Sequence, residues 1–313
     1  MTTYLITGVA GFIGNNLARA LLAQGHHVRG IDNFSTGKRA NVEDIQGLDL
    51  IEGDITDLET VRHVTAGADY VLHQAAIPSV PRSIEAPLDS HTANVTGTVN
   101  VLEAARRDGG VRRVVVAASS AAYGDTPVLP KEEGMAPTPR SPYAVSKLAA
   151  EYYARVYTDV FGLETVCLRY FNIFGPRQDP NSRYAAVIPK FIESVLQDSS
   201  PPIFGDGRQT RDFTYIDNVV EANAKACVSE AAPGGVFNIA CGQRVDLLTV
   251  LKHVNAVLGK QVHPEHHDSR PGDVRDSLAD ISRARQMLGY TAAVGFREGL
   301  ERSIDWYRQN LGE

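Results

Sequence analysis

The sequence predicts an α/β fold in which a doubly wound parallel sheet carries helices on both faces. Short runs of β-branched and apolar residues alternate with longer helical patterns through the first half of the chain. Strands buried on both faces give such runs, and crossover helices join strands that are parallel. Six runs are predicted to be buried parallel strands, at 4–7, 27–31, 48–51, 69–73, 114–117 and 165–169.

The first helix is predicted directly after the first strand. Ile13, Leu17 and Leu21 recur at helical spacing and would face the core together. Gly25 stands where a left-handed residue commonly ends a helix. The turn between the first strand and this helix is therefore short.

A later helix has recognisable signals at both ends. Ser141 is a capping residue, and Pro142 occupies the first helical position, where the missing N–H of proline costs nothing. The pattern ends near Gly162. Two chemically active side chains lie in the first two turns of this helix.

The regular alternation weakens after about residue 173, where several prolines interrupt it. A helix and a strand between 211 and 238 could return to the main sheet. The sequence thus predicts a main domain of residues 1–172, with 211–242 returning to it. A smaller α/β region would comprise residues 173–210 and 243–313.

Composition limits the classes of partner. The chain has 313 residues, is 43% hydrophobic and carries a net charge of −6, with no concentrated basic cluster. Binding to nucleic acid or to an anionic membrane surface needs concentrated positive charge, so neither is expected. The first residues lack the basic and apolar segments of a signal peptide, and we expect a cytoplasmic protein.

The three cysteines, Cys167, Cys227 and Cys241, are widely spaced and lack a CxxC or His-rich neighbourhood. Metal sites usually place their ligands at short, regular spacings. We expect buried free thiols and no metal site.

Gly8, Gly11 and Gly14 follow the first strand and open the first helix. Their missing side chains would let the backbone approach a pyrophosphate, whose charge is favoured at a helix N-terminus. The alternative is an ordinary tight turn between strand and helix.

Asp32 closes the second strand, where its carboxylate could accept hydrogen bonds from both ribose hydroxyls of a dinucleotide. A carboxylate there would repel a 2′-phosphate, which favours NAD over NADP, although Lys38 and Arg39 lie nearby. Asp54 follows the third strand and could either meet the adenine edge or cap the next helix.

The glycine spacing is Gly-x-x-Gly-x-x-Gly, and Tyr143 and Lys147 lie four residues apart. Together these features resemble the extended short-chain dehydrogenase/reductase family, which implies a Rossmann-type domain with NAD. The resemblance implies these cofactor-binding residues: Gly8, Gly11, Phe12, Ile13, Gly14, Asp32, Asn33, Ser35, Thr36, Gly37, Asp54, Ile55, Gln74, Ala75, Ala76, Asn94, Ala117, Tyr143, Lys147, Tyr170 and Asn172.

Tyr143 and Lys147 would share one face of the helix that Pro142 starts. A phenol has an unperturbed pKa near ~10 and is a poor base at neutral pH. A lysine ammonium and a positive nicotinamide ring would stabilise the phenolate and make it useful for proton abstraction.

A hydroxyl at the end of the fifth strand would complete the catalytic set. Ser119 matches the family's catalytic Ser/Thr when measured back from Tyr123 and Gly124. Ser120 is adjacent and could share the role. A serine at a strand end can also simply cap the following turn.

Segments 73–76, 79–83, 94–98, 169–172, 205–213 and 270–273 resemble nucleotide-sugar 4-epimerases that act on UDP-glucose or UDP-N-acetylglucosamine. In that group the tyrosine removes the C4-hydroxyl proton, hydride passes from C4 to NAD, and hydride returns to the other face of a 4-keto sugar. The resemblance implies these residues for the UDP-sugar: Ser79, Arg82, Ser119, Tyr143, Asn172, Val187, Phe204, Arg211, Arg270, Asp273 and Ser277.

This sequence differs from related nucleotide-sugar enzymes at positions that bear on the expected activity. The 4,6-dehydratases carry an Asp-Glu pair after the catalytic hydroxyl, whereas this chain has Ser120 and Ala121. Uronic-acid epimerases tend to have Thr at the position of Asn172 and Arg at that of Asp179. An acid at 179 would repel a substrate carboxylate, which disfavours that activity without eliminating it.

Ser277 aligns with a position that is Tyr in epimerases restricted to sugars without an acetyl group. A serine leaves room for an N-acetyl group at C2, although it does not require one. Together with the run 79–83, this favours UDP-GlcNAc and UDP-GalNAc, with UDP-Glc and UDP-Gal also accepted.

Two further expectations concern partners. A non-catalytic NAD sensor could use this fold, but a sensor has no need of Ser119, Tyr143 and Lys147. The resemblance implies a homodimer formed through a four-helix interface that includes the helix starting at Pro142. The sequence shows no decisive apolar stripe for such an interface.

Overall fold

Seven parallel strands form one sheet, in the order β11-β6-β5-β4-β1-β2-β3. The structure is a computed structural model and describes residues 1–180, 186–268 and 274–311. The strands are β1 Thr3–Thr7, β2 His27–Asp32, β3 Leu48–Glu52, β4 Tyr70–His73, β5 Arg113–Ser119, β6 Thr165–Tyr170, β7 Ile173–Phe174, β8 Pro202–Phe204, β9 Thr210–Arg211, β10 Thr214–Tyr215, β11 Val236–Ile239, β12 Val245–Asp246 and β13 Glu265–His267.

Helices cover both faces of this sheet, as predicted. They are α1 Phe12–Ala23, α2 Leu58–Thr65, α3 Val80–Glu85, α4 Pro87–His91, α5 Gly97–Asp108, α6 Pro142–Phe161, α7 Val187–Leu196, α8 Ile216–Val228, α9 Leu247–Leu258, α10 Ser282–Leu288 and α11 Phe296–Leu311.

Alternation along the strands divides the core into two layers. Ile6 of β1 faces a layer that includes α1 and α8, whereas its neighbour Leu5 faces a layer with α2, α5 and α6. Successive side chains of a strand point to opposite faces, so a strand covered on both sides must be apolar throughout. This accounts for the uninterrupted apolar runs in the sequence.

One strand differs from the prediction of burial. β3 lies at the edge of the sheet and pairs only with β2, and its residues Asp49, Leu50 and Glu52 are exposed. An edge strand has one side without a neighbour, and charged side chains on it protect the free edge.

The signals at the helix ends are confirmed. The Ser141 hydroxyl accepts a hydrogen bond from the Ala144 N–H at 3.1 Å, Pro142 is the first residue of α6, and Gly162 ends the helix with φ +72°. Gly25 follows α1 with φ +79°.

The helix and strand predicted between 211 and 238 are α8 and β11, and β11 pairs with β6 at the edge of the sheet. The remaining short strands pair as β7 with β10, β8 with β13 and β9 with β12. The division of the chain into two domains at residue 172 stays a prediction.

Cys167 and Cys227 are buried free thiols, whereas Cys241 is half-buried.

Within residues 1–180, 186–268 and 274–311, each helix is too short or too polar to cross a bilayer.

A buried ion pair joins α6 to β6. Arg169 donates two hydrogen bonds to the Glu151 carboxylate, at 2.8 and 2.7 Å, and the exposed fractions of these side chains are 4% and 2%. The Arg169 guanidinium also lies 4.7 Å above the Tyr123 ring, whose hydroxyl donates to Asn238 on β11 at 2.7 Å. Charge, stacking and hydrogen bonding thus connect α6 with β6, with β11 and with the turn after β5.

Substituting Glu151→Ala is expected to lower the free energy of unfolding by about 3–5 kcal/mol, because the Arg169 charge would stay buried without its partner. The control is Glu221→Ala, which removes a half-exposed pair with Lys225 and should cost about 0.5 kcal/mol. Urea titration followed by circular dichroism measures both. Equal losses in the two variants would contradict the importance of the buried pair.

Candidate active site

The turn between β1 and α1 packs against the loop that follows β4. A Cβ atom on Gly8, where φ is +70°, would lie 2.7 Å from the Ala75 Cα, and one on Gly14 would lie 2.2 Å from the Gly8 carbonyl oxygen. Both distances are too short for any side chain. These two glycines are therefore required by the packing of the turn itself.

The N-terminus of α1 has no side-chain cap. Gly11 precedes the helix and has no side chain to cap it, whereas Asp57, Ser79, Ser141 and Asp246 cap α2, α3, α6 and α9. The N–H groups of a first turn have no acceptor within their helix and favour an anion. Phe12, Ile13 and Gly14 supply this turn, which fits the pyrophosphate of a dinucleotide.

Asp32 is held rigidly at the end of β2. Its two carboxylate oxygens accept hydrogen bonds from the Ala10 N–H at 2.9 Å and the Phe34 N–H at 2.8 Å. Burial raises the pKa of Asp32, and the two backbone N–H groups oppose that shift. Each oxygen keeps a further lone pair, so the carboxylate can still accept from ribose hydroxyls.

The two cations near Asp32 are both paired. Lys38 forms an ion pair with Asp179 at 2.8 Å. Arg39 pairs with Glu52 and lies 4.1 Å above the Phe34 ring. Their positive charge was the main reason to consider the 2′-phosphate of NADP. Because both charges are paired within the protein, that reason is weakened and NAD is favoured.

Asp54 does not cap α2, because Asp57 does. The Asp54 carboxylate accepts from the Asn33 amide at 2.7 Å and from the Thr56 N–H at 2.8 Å. It thereby connects the loop after β3 with the loop after β2. The loop after β2 also contains Ser35, Thr36 and Gly37.

The loop after β4 is anchored by a buried polar cluster. The Tyr170 hydroxyl donates to the Gln74 side chain at 3.3 Å and accepts from the Asn223 amide at 2.8 Å, and Gln74 donates to Asn223 at 3.2 Å. Asn223 is absent from the sequence prediction. The available signal was an amide on the apolar side of α8, because a buried amide needs partners.

Asn94 is buried beside the active-site end of α6. Its side chain is 1% exposed, accepts from the Ile77 N–H at 2.7 Å and donates to the Ser146 hydroxyl at 2.9 Å. These bonds join the loop after β4 to α6 through a π-helical turn, Thr92–Thr96. The Asn94 amide therefore positions neighbouring residues, and its contact with the cofactor stays a prediction.

The predicted catalytic side chains come together at the carboxyl end of β5. Tyr143 and Lys147 lie one turn apart on α6, and the Lys147 ammonium donates to the Ala117 carbonyl oxygen at 2.8 Å. The Ser119 hydroxyl interacts with the Tyr143 phenol closely enough to lower its pKa. Among the described residues Ser120 has no such effect on Tyr143, which favours Ser119 as the catalytic hydroxyl.

The electrostatics of this cluster depend on burial. Burial raises the pKa of Tyr143, and the Ser119 hydrogen bond opposes that shift. Burial also lowers the pKa of Lys147 to about 8. The phenol is therefore protonated at neutral pH, and further positive charge is needed to make it a base.

His73 adds no charge to the site. It is buried between the Thr7 hydroxyl at 2.7 Å and the Thr98 hydroxyl at 2.9 Å. Burial and the nearby Lys147 lower its pKa to about 3. His73 is therefore neutral at physiological pH.

Ser83 is a second residue that sequence reasoning did not single out. Its buried hydroxyl accepts from the Tyr143 backbone N–H at 3.0 Å and donates to the Val80 carbonyl oxygen at 2.6 Å. It fixes the start of α6 against α3. Nearby, the Ser79 hydroxyl accepts from the Arg82 N–H at 3.2 Å as the cap of α3.

Three predicted substrate residues meet beyond the sheet. The Asn172 amide, from a residue with φ +36°, donates to the Asp212 carbonyl oxygen at 3.2 Å. Arg211 lies on β9, and the Ser277 N–H donates to the neighbouring Thr210 carbonyl oxygen at 3.1 Å. The structure thus brings Asn172, Arg211 and Ser277 into one region.

Asp212 holds this region together, and sequence reasoning did not assign it a role. Its fully buried carboxylate accepts from the N–H groups of Cys241, Gly242 and Ala279, at 3.0, 3.1 and 3.1 Å. Burial raises its pKa to about 6, against these hydrogen bonds. One carboxylate therefore links β9 to two distant segments.

Two other predicted substrate residues, Val187 and Phe204, lie in α7 and β8. Val187 begins α7 and is half-buried. The Phe204 ring stacks on His267, with ring centres 5.3 Å apart. Arg270 and Asp273 lie outside the described residues.

Comparison with known proteins agrees with this geometry. The model of the NAD dependent epimerase/dehydratase family matches residues 4–240. A UDP-glucose 4-epimerase of Mycolicibacterium smegmatis is 37% identical over 309 residues, which cover 97% of this chain and 98% of that protein. A UDP-glucuronate 4-epimerase of Thermodesulfobacterium geofontis is 32% identical over 325 residues, covering 99% and 98%.

Two solved structures have the same fold along almost their whole length. UDP-glucose 4-epimerase of Thermotoga maritima with UDP-glucose superposes with a TM-score of 0.95 at 33% identity, covering 99% of this chain and 100% of that one. UDP-N-acetylglucosamine 4-epimerase of Methanobrevibacter ruminantium with UDP-N-acetylmuramic acid gives 0.92 at 36% identity, covering 99% of each. The chain belongs to the NAD-dependent epimerase/dehydratase family and is an NAD-using enzyme.

Proposed function

We propose that this enzyme inverts C4 of a UDP-hexose through a 4-keto intermediate. The contact between Ser119 and Tyr143, with Lys147 one turn away, is the observation that carries the proposal. These groups lie at the carboxyl end of the parallel sheet, beside the glycine turn, where doubly wound folds bind nucleotides. The arrangement serves proton transfer next to a bound dinucleotide.

Each side chain has a distinct task in this reaction. Tyr143 takes the proton of the C4 hydroxyl and later returns it, while Ser119 holds the same oxygen by a hydrogen bond. Lys147 is held by the Ala117 carbonyl and supplies positive charge that favours the phenolate. Bound NAD supplies a hydride acceptor, and later a hydride donor, for C4.

Elimination of water is disfavoured by the turn after Ser119. Ser120–Tyr123 is a short 3₁₀ turn, and Ser120 and Ala121 stand where a dehydratase has its Asp-Glu pair. Neither side chain is a carboxylic acid or a carboxylate. The turn therefore lacks the acid and base that β-elimination requires.

For the substrate we propose UDP-GlcNAc and UDP-GalNAc first, with UDP-Glc and UDP-Gal also accepted. Support comes from Ser277, a small half-buried residue that contacts Thr210 beside Arg211. UDP-glucuronate stays the alternative. The repulsion expected from Asp179 is reduced, because its carboxylate pairs with Lys38.

The direct test incubates purified protein separately with UDP-Glc, UDP-GlcNAc and UDP-GlcA, without added cofactor, and follows C4 stereochemistry by NMR. We expect interconversion of C4 epimers with no net oxidation. Formation of only a 6-deoxy or decarboxylated product would overturn the proposal. Conversion of UDP-GlcA alone would establish the alternative.

Replacing Tyr143 by Phe removes the proton acceptor and leaves the ring in place. We expect kcat to fall roughly 10²–10⁴-fold while UDP-sugar affinity changes little, because the hydroxyl acts mainly in the transition state. Tyr153→Phe is the control, since Tyr153 is an exposed tyrosine of the same helix. Turnover close to that of the control would show that Tyr143 is not the base.

Ser277→Tyr is expected to narrow the pocket. The larger ring should lower kcat/KM for acetylated substrates by about 10–100-fold and spare UDP-Glc, since overpacking typically costs ~1–3 kcal/mol. Ser282→Tyr, on the exposed start of α10, controls for the added ring. If both substrate classes lose activity equally, Ser277 does not select for the acetyl group.

We also propose a homodimer formed through α6. The sequence alone did not identify an apolar face on this helix, but the structure leaves three of its valines exposed. Val145, Val156 and Val160 are 53%, 47% and 66% exposed. Tyr152 lies on the same side. A contiguous exposed apolar surface is typical of an interface, and a second copy of α6 would cover it symmetrically.

Val156→Glu should weaken dimerisation by about two orders of magnitude, because two uncompensated carboxylates would be buried near the symmetry axis. Val228→Glu introduces the same charge on α8, at a valine that is 65% exposed. Light scattering after size-exclusion chromatography measures the mass of each. A dimeric mass for Val156→Glu would place the interface elsewhere.

A further inference from the structure

A polar cavity of about 360 Å³ lies on the outer flank of α6, between that helix, β6 and the segment 133–137. Sites for small molecules commonly have volumes of roughly 300–1,000 Å³. Three arginines line it: Arg155 of α6, Arg169 of β6 and Arg283 of α10. It is separate from the nucleotide-sugar site, which lies at the N-terminal end of α6.

The two carboxylates of this cavity are already engaged. Glu151 accepts both of its ion-pair hydrogen bonds from Arg169. Glu133 accepts a hydrogen bond from the Asn238 N–H at 2.7 Å. Neither carboxylate forms an ion pair with Arg155 or Arg283 in the described part of the chain.

Arg169 is the innermost cation of the three and is 3% exposed. Its Nε and Nη2 atoms bond Glu151, but within the described ranges its Nη1 has no hydrogen-bond partner. A buried N–H of a charged group without an acceptor is costly. This buried residue of the cavity lining thus lacks one acceptor.

Arg155 and Arg283 are exposed at the rim of the cavity. Arg283 lies 5.4 Å above the Phe237 ring, which fixes the direction of its guanidinium. Across residues 1–180, 186–268 and 274–311, neither arginine has a carboxylate within ion-pair distance. Two guanidinium groups without a carboxylate at ion-pair distance therefore flank one that is incompletely bonded, and the Glu133 carboxylate attracts Arg283 at longer range.

We propose that this cavity binds a small multivalent oxyanion of the phosphate or polycarboxylate class. Guanidinium groups present paired N–H donors that match two oxygens of such an anion, and charge-assisted hydrogen bonds of this kind are strong. The rim arginines would hold the anion, and the charge of Arg169 would attract it from below.

The test measures binding of inorganic phosphate and, separately, citrate by isothermal titration calorimetry. The protein is first saturated with UDP so that the nucleotide-sugar site is blocked, and ionic strength is held constant with KCl. We expect saturable binding of at least one anion by the wild type. The preferred anion distinguishes a phosphate ligand from a polycarboxylate.

The deciding variant is Arg155→Gln combined with Arg283→Gln, and Arg112→Gln combined with Arg297→Gln removes two exposed arginines elsewhere as the control. Affinity should fall at least tenfold in the first pair and stay unchanged in the second. The substitutions spare buried Arg169, whose loss would leave Glu151 unpaired, and equal melting temperatures verify folding. Equal affinity in the two pairs, or no saturable binding by the wild type, would overturn the proposal.

Discussion

The hydrogen bond from the Lys147 ammonium to the Ala117 carbonyl oxygen is the contact on which the active site depends. It ties α6 to β5, and so it helps to hold Tyr143 of α6 beside Ser119 at the end of β5. Burial disfavours the charged form of an ammonium, and the carbonyl acceptor offsets part of that cost. Farther along α6, the ion pair of Glu151 with Arg169 holds the helix in the same register.

Much of the fold could be predicted because its signals are local. Apolar runs, the cap at Ser141 and the glycines at helix ends each depend on a few neighbouring residues. β3 was misjudged because the sequence does not show which strand lies at the edge of the sheet. An amphipathic pattern also identifies a helix more easily than it identifies which side stays uncovered, so the apolar face of α6 emerged only from the structure.

In the candidate site too, residues with local sequence signals could be predicted, whereas contacts between distant segments could not. Tyr143, Lys147 and Ser119 were identifiable because their spacing follows from one helix and one strand end. The ion pair of Lys38 with Asp179 could not be predicted, because it joins segments that are distant in the chain. It weakens the argument for a 2′-phosphate near Asp32 and the argument that Asp179 would repel a substrate carboxylate. The hydrogen bonds of Asn94 with Ile77 and Ser146 also join distant segments and become visible only when the chain is folded, while its contact with the cofactor stays a prediction.

The buried Asp212 carboxylate has a consequence for how this enzyme can evolve. It pins Ala279 and the turn at Cys241 and Gly242, so the segment that carries Ser277 is anchored two residues away from it. In the proposed function, a change at 277 reshapes the sugar pocket while Asp212 still holds the backbone at Ala279. On that proposal, single substitutions at 277 would change the accepted sugar without loss of this anchor.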